Sequence, residues 1–580
     1  DQVDQFADID LKIKGSLRDK LAYIDHKMFQ FTSSLDLNLK QASGGADTRL
    51  KLFFMLEKEL PLDRIKLWAR SSLSDVRIGN VFPGLNIDQG RLDLRVDGRG
   101  MDVKGDVKIA KIPAKLVWRQ NFTKKADFRS RFNLKAEIRD LRQVQDTGFH
   151  MEPFFWDYIR GGVKSDITYT VFDGADRRIE MNADITNAAL LTPAFGWSKP
   201  IGKQGSAAVV VDLENSMVVD VPKFSLRVDD LNIQGKAKYA LDGTGVEKVE
   251  FSSVAIGRTQ MEGALIPKTD GGWEGGFHGP ALDLSLFWQD IMAEDNADEV
   301  DHPFLDRLTL AMEFDKVWLD DKQELYDVSG TFVRAENMWK TVLMNSRFGD
   351  GATFDLAIRP RADGKRYFSM HAENAGEVFK MLDIYSNMVG GKLRISGVYE
   401  DAKPGQPLRG NINVDDYRII NAPTLAHIVS IMSLTGLLEA LQGAGLAFIN
   451  LDIPFELSHG IFRLKDAKAT GASLGFTASG KVFRHADILD LEGTVIPAYA
   501  INSAFGHIPL LGDLFTGGEK GGGMFAVTYT MTGPVEEPVV SVNPLSALAP
   551  GFLRNVFGIL SKSRPEKPFG SGRDLAPNPQ

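Results

Sequence analysis

Arg131-Phe132-Asn133-Leu134-Lys135-Ala136-Glu137-Ile138-Arg139 carries an apolar side chain at every second position and a polar or charged one between. Successive residues of an extended strand point to opposite faces, so this stretch has one apolar and one charged face. The same period runs from Arg91 to Asp97, where Leu92, Leu94 and Val96 alternate with Arg91, Asp93, Arg95 and Asp97. It returns at Ile179–Ile185, Phe224–Val228 and Leu308–Phe314. Antiparallel sheet with one wet side has this pattern.

A short motif recurs with it: apolar, any, apolar, any, Gly, any, apolar. It stands at Leu11-Ile13-Gly15-Leu17, Met101-Val103-Gly105-Val107, Leu231-Ile233-Gly235-Ala237 and Tyr326-Val328-Gly330-Phe332. Further copies are Leu393-Ile395-Gly397-Tyr399, Phe476-Ala478-Gly480-Val482 and Tyr529-Met531-Gly533-Val535. In each copy the glycine falls on the apolar face. Glycine inside a strand marks a bend or bulge, or leaves room above the sheet. The copies are unevenly spaced, which excludes a solenoid of fixed period.

Helical patterning is sparse. Gly376 to Met388 reads as a short amphipathic helix ended by Gly390-Gly391, and Thr424 to Leu441 as the strongest helix, apolar around most of its circumference. Pro550 to Leu560 reads as a third. The second of these, with Leu425, Val429, Met432 and Leu438, is a candidate cap on the sheet or a membrane-contacting helix. Its apolar stripe favours the cap, because such stripes usually pack internally. The acidic stretch within 293–303 reads as a loop or boundary between an upstream β region, 1–292, and a second β region with helices, 304–562. The Pro- and Gly-rich tail, 563–580, reads as disordered.

Composition narrows the function. The chain has 580 residues, 43% hydrophobic and 25% charged, a globular balance. Its net charge of −9 is spread without a basic block, so the footprint of a nucleic-acid binder is missing. Without cysteine there are no disulfides, zinc–thiolate sites or cysteine nucleophiles. The sequence opens on Asp1 with neither a basic n-region nor an apolar h-region, which reads as a processed or trimmed end. No stretch of about 18 residues is free of polar groups, so no spanning helix is expected.

Reactive motifs are few. Gly471-Ala472-Ser473-Leu474-Gly475 has the spacing of a serine-hydrolase elbow, but that elbow needs a helix after the serine, and Phe476-Thr477-Ala478-Ser479-Gly480 alternates like another strand. Gly517-Gly518-Glu519-Lys520-Gly521 lacks the Ser or Thr that follows the lysine of a phosphate loop. The nine histidines are scattered, with no pair at i, i+4. No catalytic residue, metal site or cofactor is expected, and the chain does not read as an enzyme.

A sheet with one apolar face has to cover it with a helix, a second sheet or a ligand. Periodicity leaves two choices open: sandwiches that cover themselves, or a trough filled by something apolar. A resemblance bears on the choice. Ile419-Ile420-Asn421-Ala422-Pro423, Gly460-Ile461-Phe462-Arg463-Leu464 and Gly493-Thr494-Val495-Ile496-Pro497-Ala498-Tyr499 are followed by Gly506-His507-Ile508-Pro509-Leu510-Leu511-Gly512 and Val542-Asn543-Pro544-Leu545-Ser546. This succession resembles the C-terminal region of the AsmA-like family, in its YhdP-like branch. Gly98-Arg99-Gly100-Met101 and Gly196-Trp197-Ser198-Lys199-Pro200-Ile201-Gly202 resemble the companion region upstream.

The resemblance implies a mainly β fold: an elongated, twisted antiparallel sheet forming an apolar-lined groove, with a few short helices near the C-terminus. It implies a periplasmic protein, anchored to the inner membrane by an N-terminal segment outside this chain. The implied function is carriage of phospholipids between inner and outer membrane, with unknown envelope proteins as further partners. The alternative is a structural or chaperone-like envelope protein that assists outer-membrane protein assembly by strand pairing. On the first reading Leu92, Leu94, Val96, Phe132, Leu134, Ile138, Leu231, Ile233, Leu393 and Ile395 form one continuous lining. A charge at Leu134 or Ile395 is then expected to block lipid passage more than it lowers stability.

Overall fold

The alternating stretches are strands. Phe132 to Ile138 lies in the strand Ser130–Ile138, and Leu92 to Val96 in Leu85–Asp97. Phe224 to Val228 closes Met217–Val228, Leu308 to Phe314 opens Leu308–Trp318, and Ile179 to Asp184 closes Asp176–Asp184, with Ile185 one residue beyond. The computed structural model describes residues 5–24, 38–57, 64–82, 85–123, 126–139, 159–192, 197–215, 217–241, 245–285, 307–336, 338–431, 441, 443–497 and 527–543. They are mainly β, with a few short helices. The helix expected at 550–560, the tail at 563–580, the acidic stretch at 293–303 and the Gly517–Gly521 run lie outside the described residues.

The chain divides into two compact units: Asp1–Trp288 with His302–Asp320, and Gln289–Asp301 with Asp321–Gln580. Leu308–Trp318 belongs to the first unit because it pairs along its whole length with Trp273–Asp283. That pairing is parallel. Parallel neighbours need a long crossover, and residues 284–307 connect these two.

Elsewhere in the first unit the main sheet is a meander. From Phe6–Ser16 to Trp273–Asp283, each strand pairs antiparallel with the next strand of the sheet along the chain. A separate small sheet joins Ile159–Gly161, Ala188–Thr192 and Trp197–Lys199. The second unit is another antiparallel meander, from Glu324–Ala335 to Val539–Asn543.

The helices differ from expectation in place and length. One, Leu17–Ile24, lies near the N-terminus, and its Leu17 and Leu21 pack on the apolar face. The helix expected over Gly376–Met388 is Ala375–Met381. Asn374 caps its first turn by accepting from the Glu377 amide, and Asp383 turns the chain into the left-handed region just after it (φ 52°). Met388 is already strand, paired with Ile419, so sheet pairing overrides the helical spacing there. Within 424–441, the described helix is Pro423–Ile431.

Candidate functional site

Residues paired in an antiparallel ladder point to the same face, so register shows which side chains share a surface. In the first unit one register row runs Leu73, Leu92, Gly105, Leu116, Leu134, Ile167, Met181 and Val209. It continues through Phe224, Gly235, Phe251, Gly263, Phe277 and Met312. Every member is apolar or glycine. A parallel row carries Leu94, Val103, Trp118, Phe132, Tyr169, Ile179 and Val211.

In the second unit a comparable row runs Phe332, Val342, Ile358, Phe368, Gly397, Gly410 and Phe455. Leu464, Gly480, Leu491, Met531 and Val540 complete it. The motif glycines Gly105, Gly235, Gly397 and Gly480 thus sit inside apolar rows.

The opposite face is charged and stitched by cross-strand ion pairs. Arg119 meets Asp102 at 2.8 Å, Arg178 meets Asp212 at 2.6 Å, and Lys236 meets Glu250 at 2.8 Å, each pair directly opposite in register. Arg409 bridges Glu456 at 2.6 Å and Glu400 at 3.2 Å. Such exposed pairs are worth about 0–1 kcal/mol each. Their clearer effect is on register, because a one-residue slip would carry the charges to the apolar side.

The apolar face is covered in places. Around Leu92, Trp118, Phe132 and Leu134 the side chains are buried as one cluster, with Leu94 and Val96 packed against it and Leu17 from the first helix inside it. Trp118 stacks on Phe132 at 5.0 Å and donates its Nε1 hydrogen to Ser130 Oγ at 2.8 Å. A second cluster holds Val163, Ala183, Val228 and Leu231 under the small sheet, whose Ala188, Leu190 and Trp197 join it, and Ile233 packs against it.

Lys199 is buried in that small sheet. Its Nζ donates to the carbonyls of Ala188 at 2.6 Å, Thr186 at 3.1 Å and Pro200 at 3.2 Å. Desolvation holds its pKa below the ordinary lysine value. The carbonyls satisfy the buried ammonium and tie the small sheet together.

Elsewhere the face is more open. Phe224, Phe251 and Phe277 are half-buried, with ring centroids 5.9 and 6.1 Å apart along the row. Gly235 and Gly263 lie between them, and each glycine is roofed by a neighbouring ring. A Cβ on Gly263 would sit 2.6 Å from Phe277 Cδ1, and one on Gly235 would strike the Phe224 ring. The same Cβ atoms would lie 2.3 Å from the Glu250 carbonyl oxygen and 2.2 Å from the Gly276 carbonyl oxygen, so the glycines make room for the neighbouring backbone as well as for the rings. This stretch carries apolar surface and no directional polar group of its own.

The expected lining residues fall as follows. Leu92, Leu94, Val96, Phe132, Leu134, Ile138, Leu231 and Ile233 share one face of the first unit's sheet. They pack in more than one cluster on it. Leu393 and Ile395 share the apolar face of the second unit with Val414 and Ile412. Leu134 and Ile395 are buried, not open, so a charge at either would fall in a packed core. The half-buried Phe251 and Phe277, which sequence reading did not single out, are the more accessible positions. Their signal was available as Phe at one strand facing Gly at the next, but it needs the register to be seen.

In the helix Pro423–Ile431, Leu425 is half-buried and Ile428 is buried, and the helix lies against the strand Val539–Asn543. Met432, Leu438 and the side chain of Val429 lie outside the described residues. No helix among the described residues is long and apolar enough to cross a membrane. Ser473 sits in the tight turn joining Ile461–Thr470 to Leu474–Phe483, where the Gly471 amide donates to the Leu474 carbonyl at 2.9 Å. A strand follows it, so the strand–helix geometry of a nucleophile elbow is not formed there. Compared with protein-family models, curated proteins and solved structures, the chain matches none.

Proposed function

We propose that this chain carries phospholipid along an apolar β-groove of the AsmA-like kind, between the inner and outer membranes of a bacterial envelope. The observation that carries the reading is the unbroken register row from Leu73 to Met312, apolar or glycine at every step, with the half-buried Phe224–Phe251–Phe277 stretch on it. An acyl chain in water costs about 0.8 kcal/mol per CH₂, and a continuous apolar surface removes that cost without any directional bond. The charged opposite face keeps the sheet wet on its other side. On this reading the protein works in the periplasm as a conduit, with lipid as cargo and the two membranes as partners.

The test is lipid loading and transfer. Native mass spectrometry of the purified chain should show co-purifying phospholipid, and the chain should speed transfer of a fluorescent phospholipid between donor and acceptor vesicles. Phe251→Asp with Phe277→Asp should abolish both while the melting temperature stays within a few degrees of wild type. A chain that carries no lipid and leaves the vesicle rate unchanged would refute the proposal.

A further inference from the structure

Two arginines stand along one margin of the second unit's apolar row. Two residues beyond Phe332, Arg334 pairs with Trp339, and two residues before Phe368, Arg366 pairs with Pro360. Side chains two apart on a strand share a face, so both arginines lie on the apolar side. The rings agree with that placement. Phe332 and Trp339 meet edge to face at 6.3 Å, and the Arg366 guanidinium lies 4.2 Å from the centre of the Tyr399 ring.

The two differ in what satisfies them. Arg366 is buried and well partnered: Asp401 accepts from its Nε at 3.0 Å and its Nη2 at 2.6 Å, and the Trp339 carbonyl accepts from Nη1 at 2.9 Å. A guanidinium out of water needs such acceptors, as the ammonium of Lys199 needs its three carbonyls. Arg334 lacks them. It is half-buried, 5.9 Å from the Trp339 ring centre, and its Nε is shut off from solvent with no hydrogen-bond acceptor. Among the described residues no carboxylate pairs with it, and the nearby Glu336 is held by Lys340 at 2.8 Å. Lys340 and Glu336 cancel, as do Arg366 and Asp401, which leaves Arg334 as the unbalanced positive charge of this margin.

We propose that Arg334 is a headgroup site, holding the phosphate of a phospholipid whose acyl chains lie on the adjoining apolar row against the half-buried Phe332 and Phe368. A guanidinium can give two parallel N–H donors to two oxygens of one phosphate, a pairing stronger than a hydrogen bond between neutral groups. With Nε enclosed, Nη1 and Nη2 are the fork left to a ligand. The Trp339 indole beside it is 36% exposed, an amphipathic ring suited to the boundary between chain and headgroup. A register shift falls between Val333 and Arg334, and bulges re-aim the side chains beside them. The choice of phosphate over carboxylate rests on the cargo proposed above.

The test maps where a headgroup sits. A short-chain phosphatidylglycerol with a photoreactive group on its headgroup, kept below its micelle concentration, should label the purified chain around Trp339 and Tyr367. Arg334→Gln should cut that labelling about tenfold and leave labelling elsewhere on the chain unchanged. Arg334→Lys should retain an intermediate level, because an ammonium keeps the charge and loses the fork. Arg347→Gln removes an exposed arginine from the same pair of strands and should change nothing there. Unlabelled phosphatidylglycerol should compete. A diacylglycerol with the same chains, or glycerol phosphate without chains, should compete at least about tenfold less well.

Circular dichroism melts give the structural control. Arg334 has no partner to lose, so Arg334→Gln should melt with wild type, whereas Arg366→Gln should melt lower. Labelling at Trp339 that survives Arg334→Gln would overturn the site. So would glycerol phosphate or the diacylglycerol competing as well as the phospholipid. A chain that speeds vesicle transfer without labelling at Trp339 keeps its cargo and loses this headgroup site, while one that binds no phosphatidylglycerol anywhere overturns both readings.

Discussion

Two stretches of the first unit carry the same alternating pattern and end in different states. From Gly100–Ile109 through Ile112–Asn121 and Ser130–Ile138 to Val163–Val171, the strands pair without a register shift, and their apolar side chains are packed into one buried cluster. From Ser206–Glu214 to Trp273–Asp283, every neighbouring pair contains a shift: near Val210, between Val221 and Phe224, at Gly235, between Phe251 and Val254, and between Gln260 and Glu262. A bulge bends the strand and sharpens its twist. Here the rings of Phe224, Phe251 and Phe277 lie over glycines and remain half-buried. An apolar period thus establishes a face, and the two stretches fill it differently: the first packs into one cluster, while the second buries Val211, Leu213, Val221 and Ala237 and leaves the three rings half-buried.

Four measurements would break or sharpen that contrast. The largest effect belongs to Leu134→Asp, which puts a carboxylate in the closed stretch. It should cost about 4 kcal/mol or more and abolish the cooperative melt of the first unit, where an open trough would have let water rescue it. A mild shift in calorimetry would mean that the cluster admits water. Next, Trp118→Ala removes a buried ring that stacks on Phe132, and should cost about 3–5 kcal/mol in a denaturant titration. Phe251→Ala in the open stretch should cost only about 1–2 kcal/mol. Equal costs would erase the distinction between the two stretches.

Gly263→Val comes third. Its side chain would strike the Phe277 ring and should cost about 1–3 kcal/mol. Its Cβ would also lie 2.2 Å from the Gly276 carbonyl oxygen, so Phe277→Ala should recover only the part of the loss due to the ring, which a double-mutant cycle would measure. The smallest effect lies on the charged face. Hydrogen bonds from Lys236 and then Lys248 hold the Glu250 pKa at about 2, below its ordinary 4.5. A carboxyl depressed in the folded state stabilises it above pH 4.5, and that contribution is lost as pH falls through about 2. The Glu250→Gln variant should therefore fall below wild type at neutral pH and converge with it at the acid end. Parallel stability curves across that window would show that the pair does not couple to folding.

Much of this was legible in the sequence, for a physical reason. Strands with one wet face write their orientation into every second residue, so Phe132 to Ile138 and Leu92 to Val96 announced both strand and face. Glycine on the apolar side announced the close approaches, as at Gly235. What was hidden depends on partners distant in sequence. Nothing local in Leu308–Trp318 distinguishes a parallel from an antiparallel neighbour. The spacing of Val378, Phe379 and Leu382 marks a helix, but its end depends on Met388 pairing with Ile419. The same holds at the candidate site. Leu134 and Phe251 look alike as alternating apolar residues, and only register and bulges separate the buried one from the accessible one.

The meander has a kinetic consequence. When each strand's partner is the next strand of the sheet along the chain, closing a pair costs little loop entropy, and a growing sheet can add strands as they emerge. Most of both units can therefore zip up from many starting points. The parallel pair of Trp273–Asp283 and Leu308–Trp318 is different, because its partners must find each other across residues 284–307. Residues 139–162 separate Ser130–Ile138 from Val163–Val171 by the same length, so the first unit has more than one such closure, and these set the pace of its completion. A slow refolding phase that disappears when Leu308–Trp318 is deleted would carry the signature of the parallel one.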